Sequence, residues 1–324
     1  MTAIDTSGLT KEYGELTAVD DLDLTVDEGE VFGFLGPNGA GKSTTINMLL
    51  DFTRPTAGSA TVLGYDAQAE ADAISPRVGV LPEGFDIYPR LSGRRHIEFA
   101  IKTKGAADDP DELIERVGLS AADAARPAGD YSKGMRQRLA TGIALVGDPD
   151  LLIMDEPSSG LDPNGISEMQ DLVRSEAERG TTVFFSSHIL EHVEAVCDRV
   201  GVLNEGELVA VDTIGSLREQ FGSGATMTLT LTDAAAEVQA VAAELQGVTD
   251  VTASGRTLEC TITDPTAKAR LVTTLADAGA TIRDVRIEEV SLESLFTALT
   301  NGDADGSREA DPADAIATEP EVAR

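Results

Sequence analysis

Lysine is scarce in this chain. Only Lys11, Lys42, Lys102, Lys104, Lys133 and Lys268 occur in 324 residues. With 57 acidic against 25 basic residues, the formal net charge is −32. A chain so short of positive charge lacks the basic footprint of nonspecific nucleic-acid binding. It also lacks the attraction that holds a protein directly on anionic lipid. Two causes produce such acidity: steering of cationic partners, or solvation in a high-salt cytoplasm where repulsion is screened. The acids run along the whole chain, which favours a halophilic source.

Cysteine is nearly absent too. Cys197 and Cys260 lie far apart, without metal-site spacing, and read as buried thiols rather than a disulfide. No window approaches the roughly 18 apolar residues of a membrane span. Met1-Thr2-Ala3-Ile4-Asp5-Thr6 shows no basic region followed by an apolar run, so no signal peptide is expected. The expectation is a cytosolic protein.

What is present is a complete phosphate-binding loop. Gly36-Pro37-Asn38-Gly39-Ala40-Gly41-Lys42-Ser43-Thr44 has the form G-x-x-x-x-G-K-[ST]. It follows the apolar run Val31–Leu35 and precedes a helical pattern at Thr44–Leu50, the context the motif requires. The glycines let backbone N–H groups close around phosphate oxygens, and the helix start adds its positive end. Lys42 then neutralises β/γ-phosphates, and Ser43 offers a hydroxyl to Mg²⁺. Leu151-Leu152-Ile153-Met154-Asp155-Glu156 is an apolar strand ending in two carboxylates. Beside a phosphate loop, Asp155 can hold Mg²⁺ through water, and Glu156 can polarise a water for in-line attack.

Residues 1–220 alternate strand-like and helix-like segments, which predicts an α/β core. Further strands are expected at Arg77–Leu81 and Thr181–Phe185, and helices at Ile166–Arg179 and Leu190–Cys197. Two β-rich pieces flank this core, one at Leu22–Val26 and one a hairpin at Val200–Ala210 turning at Asn204-Glu205-Gly206. Residues of about 90–146 read as a helical insertion. Gly222-Ser223-Gly224 reads as a linker. Beyond it the order is strand (Met227–Leu231), helix (Ala235–Leu245), strands (Val248–Ala253 and Leu258–Thr263), helix (Ala267–Ala278) and strand (Ile282–Ile287). That order suggests a small ferredoxin-like α+β unit with a last helix at Ser291–Leu299. Residues 301–324 hold almost no large apolar side chains and are expected to be disordered.

Tyr131-Ser132-Lys133-Gly134-Met135-Arg136-Gln137 builds a second helix start, capped by Ser132 and left open by Gly134. Over roughly residues 3–220 the chain resembles the ATP-binding subunits of ABC transporters. Ser132–Gln137 looks like that family's signature motif, and Ser159-Gly160-Leu161-Asp162 like its D-loop. His188, after Thr182–Ser187, looks like its switch histidine. Tyr13 sits where the family keeps an aromatic that stacks on adenine, though such a tyrosine also packs against a sheet.

The resemblance implies a P-loop ABC cassette with a parallel-sheet core, an antiparallel β subdomain and a helical insertion, occupying residues 1–221. The accessory α+β domain would then span 225–300. It implies two cassettes closing head to tail around two ATP molecules with Mg²⁺. Each site would use Lys42, Ser43, Asp155, Glu156 and His188 in cis, with Ser132 and Gly134 from the opposite subunit. A homodimer or a paired homologue follows, driving a separate membrane permease from the inner face of the cell membrane. The chain would meet the membrane only through that permease. A soluble ABC ATPase acting on ribosomes or DNA is the rival. Such proteins usually carry two cassettes, a long coiled coil or a zinc insertion, and this sequence has one phosphate loop, no sustained heptads and no Cys pairs.

Two departures stand out. Lys133 takes a place where the family usually has glycine, and either adds charge near the phosphates or points to solvent. Glu83, in Val80-Leu81-Pro82-Glu83-Gly84, replaces the family's Q-loop glutamine; it could contact Mg²⁺ or its water, or repel phosphate. Together with the segment Val290–Phe296, these departures are similar to the ABC-2 type exporter subgroup, which includes drug, antibiotic and sodium efflux. Phe85, Ile87, Tyr88 and Leu91 divide between core and a groove for a permease helix.

Overall fold

The computed structural model describes residues 1–221, 225–264 and 266–289. Five parallel strands build its central sheet: β3 (Val31–Leu35), β6 (Val78–Leu81), β7 (Leu151–Asp155), β8 (Thr182–Ser187) and β9 (Arg199–Asn204). β10 (Glu207–Thr213) adds antiparallel at one edge, giving the order β10-β9-β3-β8-β7-β6. Every residue of β3, β7 and β8 is buried. Burial on both faces is why these strands read as apolar runs without alternation. Phe32 and Phe34 meet Phe184 on one face, with ring centroids 5.8 and 5.3 Å apart. Val31, Leu35, Val183 and Phe185 belong to the core on the other face.

The first face is covered by α1 (Lys42–Leu49) and an antiparallel sheet of order β2-β1-β4-β5. Its strands are β1 (Thr2–Tyr13), β2 (Leu16–Asp27), β4 (Ala57–Val62) and β5 (Tyr65–Asp66), followed by the short helix α2 (Ala71–Ile74). Only part of β2 was legible from its apolar alternation. β1 and β4 carry few large apolar residues, and register shifts between Thr6 and Lys11 break the period of β1.

The second face receives α6 (Lys133–Ala144), α7 (Pro163–Glu178) and α8 (Leu190–Glu194). The expected insertion comprises α3 (Gly93–Lys104), α4 (Pro110–Arg116), α5 (Ala121–Ala124) and α6. Each has a sequence-written start: Ser92, Asp109, Ser120 and Ser132 accept a backbone N–H from the first turn of α3, α4, α5 and α6 respectively. α8 stops at Glu194 rather than Cys197. Beyond it Asp198 donates its N–H to Val31 and accepts the Val31 N–H on its side chain, so the chain is captured by β3. α9 (Ile214–Phe221) follows β10.

A third sheet, β12-β13-β11-β14, is formed by β11 (Ala225–Leu231), β12 (Val248–Ser254), β13 (Thr257–Ile262) and β14 (Ile282–Glu289). All its pairs are antiparallel. With α10 (Gln239–Ala243) and α11 (Ala267–Asp277) it has the expected ferredoxin-like order. The helix expected at Ala235–Leu245 is split. A 3₁₀ turn covers Ala235–Glu237, and Val238 at φ −115° and ψ 2° separates it from α10. Cys260 is buried here, its thiol pushed up to about 11 by desolvation. Burial also raises the Cys197 thiol, and both cysteines are free. The linker 222–224, the expected last helix at Ser291–Leu299 and the tail 301–324 lie outside the described residues.

Candidate active site

Parallel strands present their carboxyl ends to one crevice, and the loops leaving β3, β7 and β8 meet there. The loop after β3 tolerates no side chain at two points. A Cβ at Gly36 would meet the Leu203 carbonyl oxygen at 2.5 Å. Gly41, at φ +108°, would drive one into the Ala18 carbonyl. The loop is fixed from outside by Gly36 N–H donating to Ser187 O at 3.2 Å and Gly206 N–H donating to Ala40 O at 3.0 Å. Gly206 lies in the β9–β10 turn that the sequence predicted.

Lys42 opens α1 and is buried. Its Nζ donates to Gly36 O at 2.7 Å and Pro37 O at 3.2 Å, and lies 3.2 Å from Glu156 Oε1. That last contact is an ion pair without hydrogen-bond alignment, so Oε1 remains a buried acceptor with no donor. Glu156 follows β7 at φ +48°, a backbone that costs a non-glycine residue about 1–3 kcal/mol. Ser186, at 0% exposure in β8, holds it there. Its Oγ accepts the Glu156 N–H at 3.0 Å and donates to Asp155 Oδ1 at 2.5 Å. His188 Nδ1 stands 2.8 Å from Glu156 Oε2. Lys42, Glu156 and His188 thus form one polar chain, with Asp155 and Ser186 beside it.

A cavity of about 440 Å³ opens over this chain, lined by Tyr13, Leu16, Ala18, Asn38, Gly39, Gly41, Lys42, Ser43, Thr44, Glu83 and Glu156. Tyr13, from the antiparallel sheet, is 50% exposed at the rim rather than packed into the core. Lys11 Nζ lies 4.9 Å from its ring centroid. Gly36, Pro37, Ala40, Asp155 and His188 adjoin the lining residues without lining the cavity, and Ser132, Gly134 and Asp162 belong to neither the lining nor the polar chain. Ser132 Oγ accepts the Met135 N–H at 3.2 Å, and Asp162 Oδ1 accepts the Gly165 N–H at 2.8 Å to start α7. Gly134 lines a second cavity between α6 and α7. Lys133 is exposed, and its ammonium packs against Gly160. Phe85 and Ile87 pack on the core, whereas Tyr88 and Leu91 are exposed. Sequence reasoning missed Ser186 and Leu16. A serine inside a fully buried run was the available signal for Ser186; nothing marked Leu16.

The family model described as ABC transporter matches residues 19–159. The chain is 38% identical over 312 residues to the daunorubicin/doxorubicin resistance ATP-binding protein DrrA of Streptomyces peucetius, covering 94% of each. This chain belongs to the ABC transporter family. It is one of the family's ATP-binding subunits and, as such, an ATPase that takes ATP with Mg²⁺ and works with a membrane permease. It is also 34% identical over 300 residues to the linearmycin resistance ATP-binding protein LnrL of Bacillus subtilis (strain 168), covering 90% of this chain and 96% of the relative. A solved structure of an ATP-binding subunit of an ABC transporter aligns with TM-score 0.62 at 28% identity, covering 68% of this chain and 93% of that one.

The site's chemistry fits these ligands. Gly36 and Gly41 let the loop lie against the Leu203 and Ala18 carbonyls, and the buried Lys42 ammonium suits a phosphate. Among the described residues no cluster of three or more His, Cys, Asp or Glu could hold a metal alone. Ser43 and Asp155 offer the few hard oxygens that Mg²⁺ takes when substrate phosphates complete its shell.

Proposed function

We propose that this ABC ATPase drives export through an ABC-2 type permease, as a homodimer or paired with a homologous subunit. It works at the cytoplasmic face of the cell membrane, held there by the permease. Among the described residues no helix is long and apolar enough to cross a membrane. The relatives named for drug resistance span nearly the whole chain, C-terminal unit included, which supports the exporter reading. Residues 1–221 form the cassette, with its helical subdomain at about 90–146, and 225–300 an accessory module joined through 222–224. The net charge of −32 supports a halophilic source and no nucleic-acid partner.

The observation that carries the mechanism is the chain Lys42–Glu156–His188, whose first two members line one cavity. At rest Lys42 neutralises Glu156. The β/γ-phosphates of ATP compete for Lys42 and draw its ammonium away, which leaves Glu156 a free carboxylate. Glu156 then takes a proton from the attacking water, and His188 holds the carboxylate through Oε2. Ser43 and Asp155 would hold Mg²⁺, which would supply positive charge to offset that of the phosphates. Tyr13 would stack on the adenine, and Glu83, which lines the same cavity, would face Mg²⁺ or its water. Ser132 and Gly134 act across the dimer, meeting the opposite nucleotide only when the pair closes, so hydrolysis follows a conformational step.

Inside-out vesicles carrying the cognate permease test direction. Added protein and Mg-ATP should load a permeant drug into the lumen, and vesicles that empty instead would contradict export.

A further inference from the structure

A second histidine lies one turn beyond His188, and the mechanism above makes no use of it. His192 Nδ1 is 2.8 Å from Ser158 Oγ. Ser158 is 4% exposed and stands two residues after Glu156, at the root of the loop that leads to Asp162. Burial is the main cause that pushes His192 below the ordinary histidine range; His188 adds to that effect, while Glu191 and Glu156 oppose it. His192 is therefore a neutral imidazole near pH 7, and either tautomer supports the bond to the serine hydroxyl.

The segment 188–192 grips the 156–158 loop twice, His188 on Glu156 and His192 on Ser158. Within the loop, Ser159 N–H donates to Glu156 O at 3.0 Å and Leu161 N–H to Ser158 O at 3.2 Å. Its exit is closed by Asp162 on Gly165 at 2.8 Å. The far end of α8 is anchored as well, because Arg174 Nη2 in α7 donates to Ala195 O at 2.6 Å. Glu156 sits in a left-handed backbone that persists only while its surroundings over-determine it.

We propose that His192 is a positioning residue. Through Ser158 it fixes the loop that aims Glu156, so that the carboxylate and His188 move as one unit when the site closes. The inference rests on Glu156 being the base.

Mg-ATP turnover of the full chain tests it, with His192→Ala, His192→Asn, Ser158→Ala, the Ala/Ala double variant and Glu156→Gln assayed together. His192→Ala should lower kcat by about ten- to a hundredfold, the effect expected of a misaimed catalytic group. KM should stay within about twofold, because His192 does not line the cavity. His192→Asn carries a polar atom where Nδ1 stands and should restore most of kcat. The double variant should be no slower than the slower single, because one bond is lost in all three. A kcat for both His192→Ala and Ser158→Ala within about twofold of wild type would overturn the proposal, as would losses that multiply in the double variant. If His192→Ala does not fold, Ser158→Ala and His192→Asn decide alone. An inactive Glu156→Gln beside a fully active His192→Ala would sink only this inference. A fully active Glu156→Gln would sink the base assignment and the inference together.

Discussion

Asp51 ends α1 in a left-handed conformation, φ +53°. Its N–H reaches Met48 O at 3.3 Å and the Phe52 N–H reaches Asn47 O at 2.9 Å. This pair of bonds closes a helix through a residue that is best a glycine. Asp51 Oδ1 is also buried without a hydrogen bond, 3.7 Å from Arg54 Nε. Asp51→Gly should therefore stabilise the chain by about 1 kcal/mol, read as a higher urea midpoint at unchanged slope. Glu156 shares the left-handed backbone but is braced by Lys42, Ser186 and His188. Its strain belongs to the site, whereas that of Asp51 has no such bracing. The phosphate loop and the carboxylates Asp155 and Glu156 could be read from residue order, and His188 only through the family resemblance. Ser186 and the Ser158–His192 bond could not, because their meaning arises only when β8 lies between β3 and β7.

At the scale of elements, what was legible depended on burial. β3, β7 and β8 are buried on both faces, so their apolar runs marked them. The hairpin β9–β10 was marked by its turn, where Glu205 and Gly206 take φ +49° and +91°. β1 was hidden by its polar, irregular register, and the end of α8 by capture of Asp198 on β3. How the insertion attaches to the core was also invisible. Arg116, at the end of α4, donates Nε to Glu176 Oε1 at 2.8 Å and pairs Nη2 with Oε2, while Nη1 reaches Asp148 at 3.0 Å. Glu176, in α7, is 0% exposed. Arg116→Met would leave that carboxylate buried without its partner and should cost about 3–5 kcal/mol in unfolding free energy. Adding Glu176→Met should recover much of the loss. A double variant no more stable than Arg116→Met would show that the helices are held by something other than this pair.

For the whole molecule, charge and pairing decide behaviour. A net charge of −32 repels itself, and the screening length falls from about 10 Å at 0.1 M salt to about 3 Å at 1 M. Thermal stability should rise steadily as KCl goes from the first concentration to the second. A flat or falling curve would count against the halophilic reading. Pairing belongs to the proposed mechanism, in which Ser132 and Gly134 would act on the nucleotide of an opposite copy once two cassettes close. Glu156 as the base is tested most directly by Mg-ATP turnover of wild type beside Glu156→Gln, with size-exclusion profiles in ATP. Wild type should turn over, and the variant should be inactive and trapped as an ATP-bound dimer. Turnover that survives in Glu156→Gln would contradict that role.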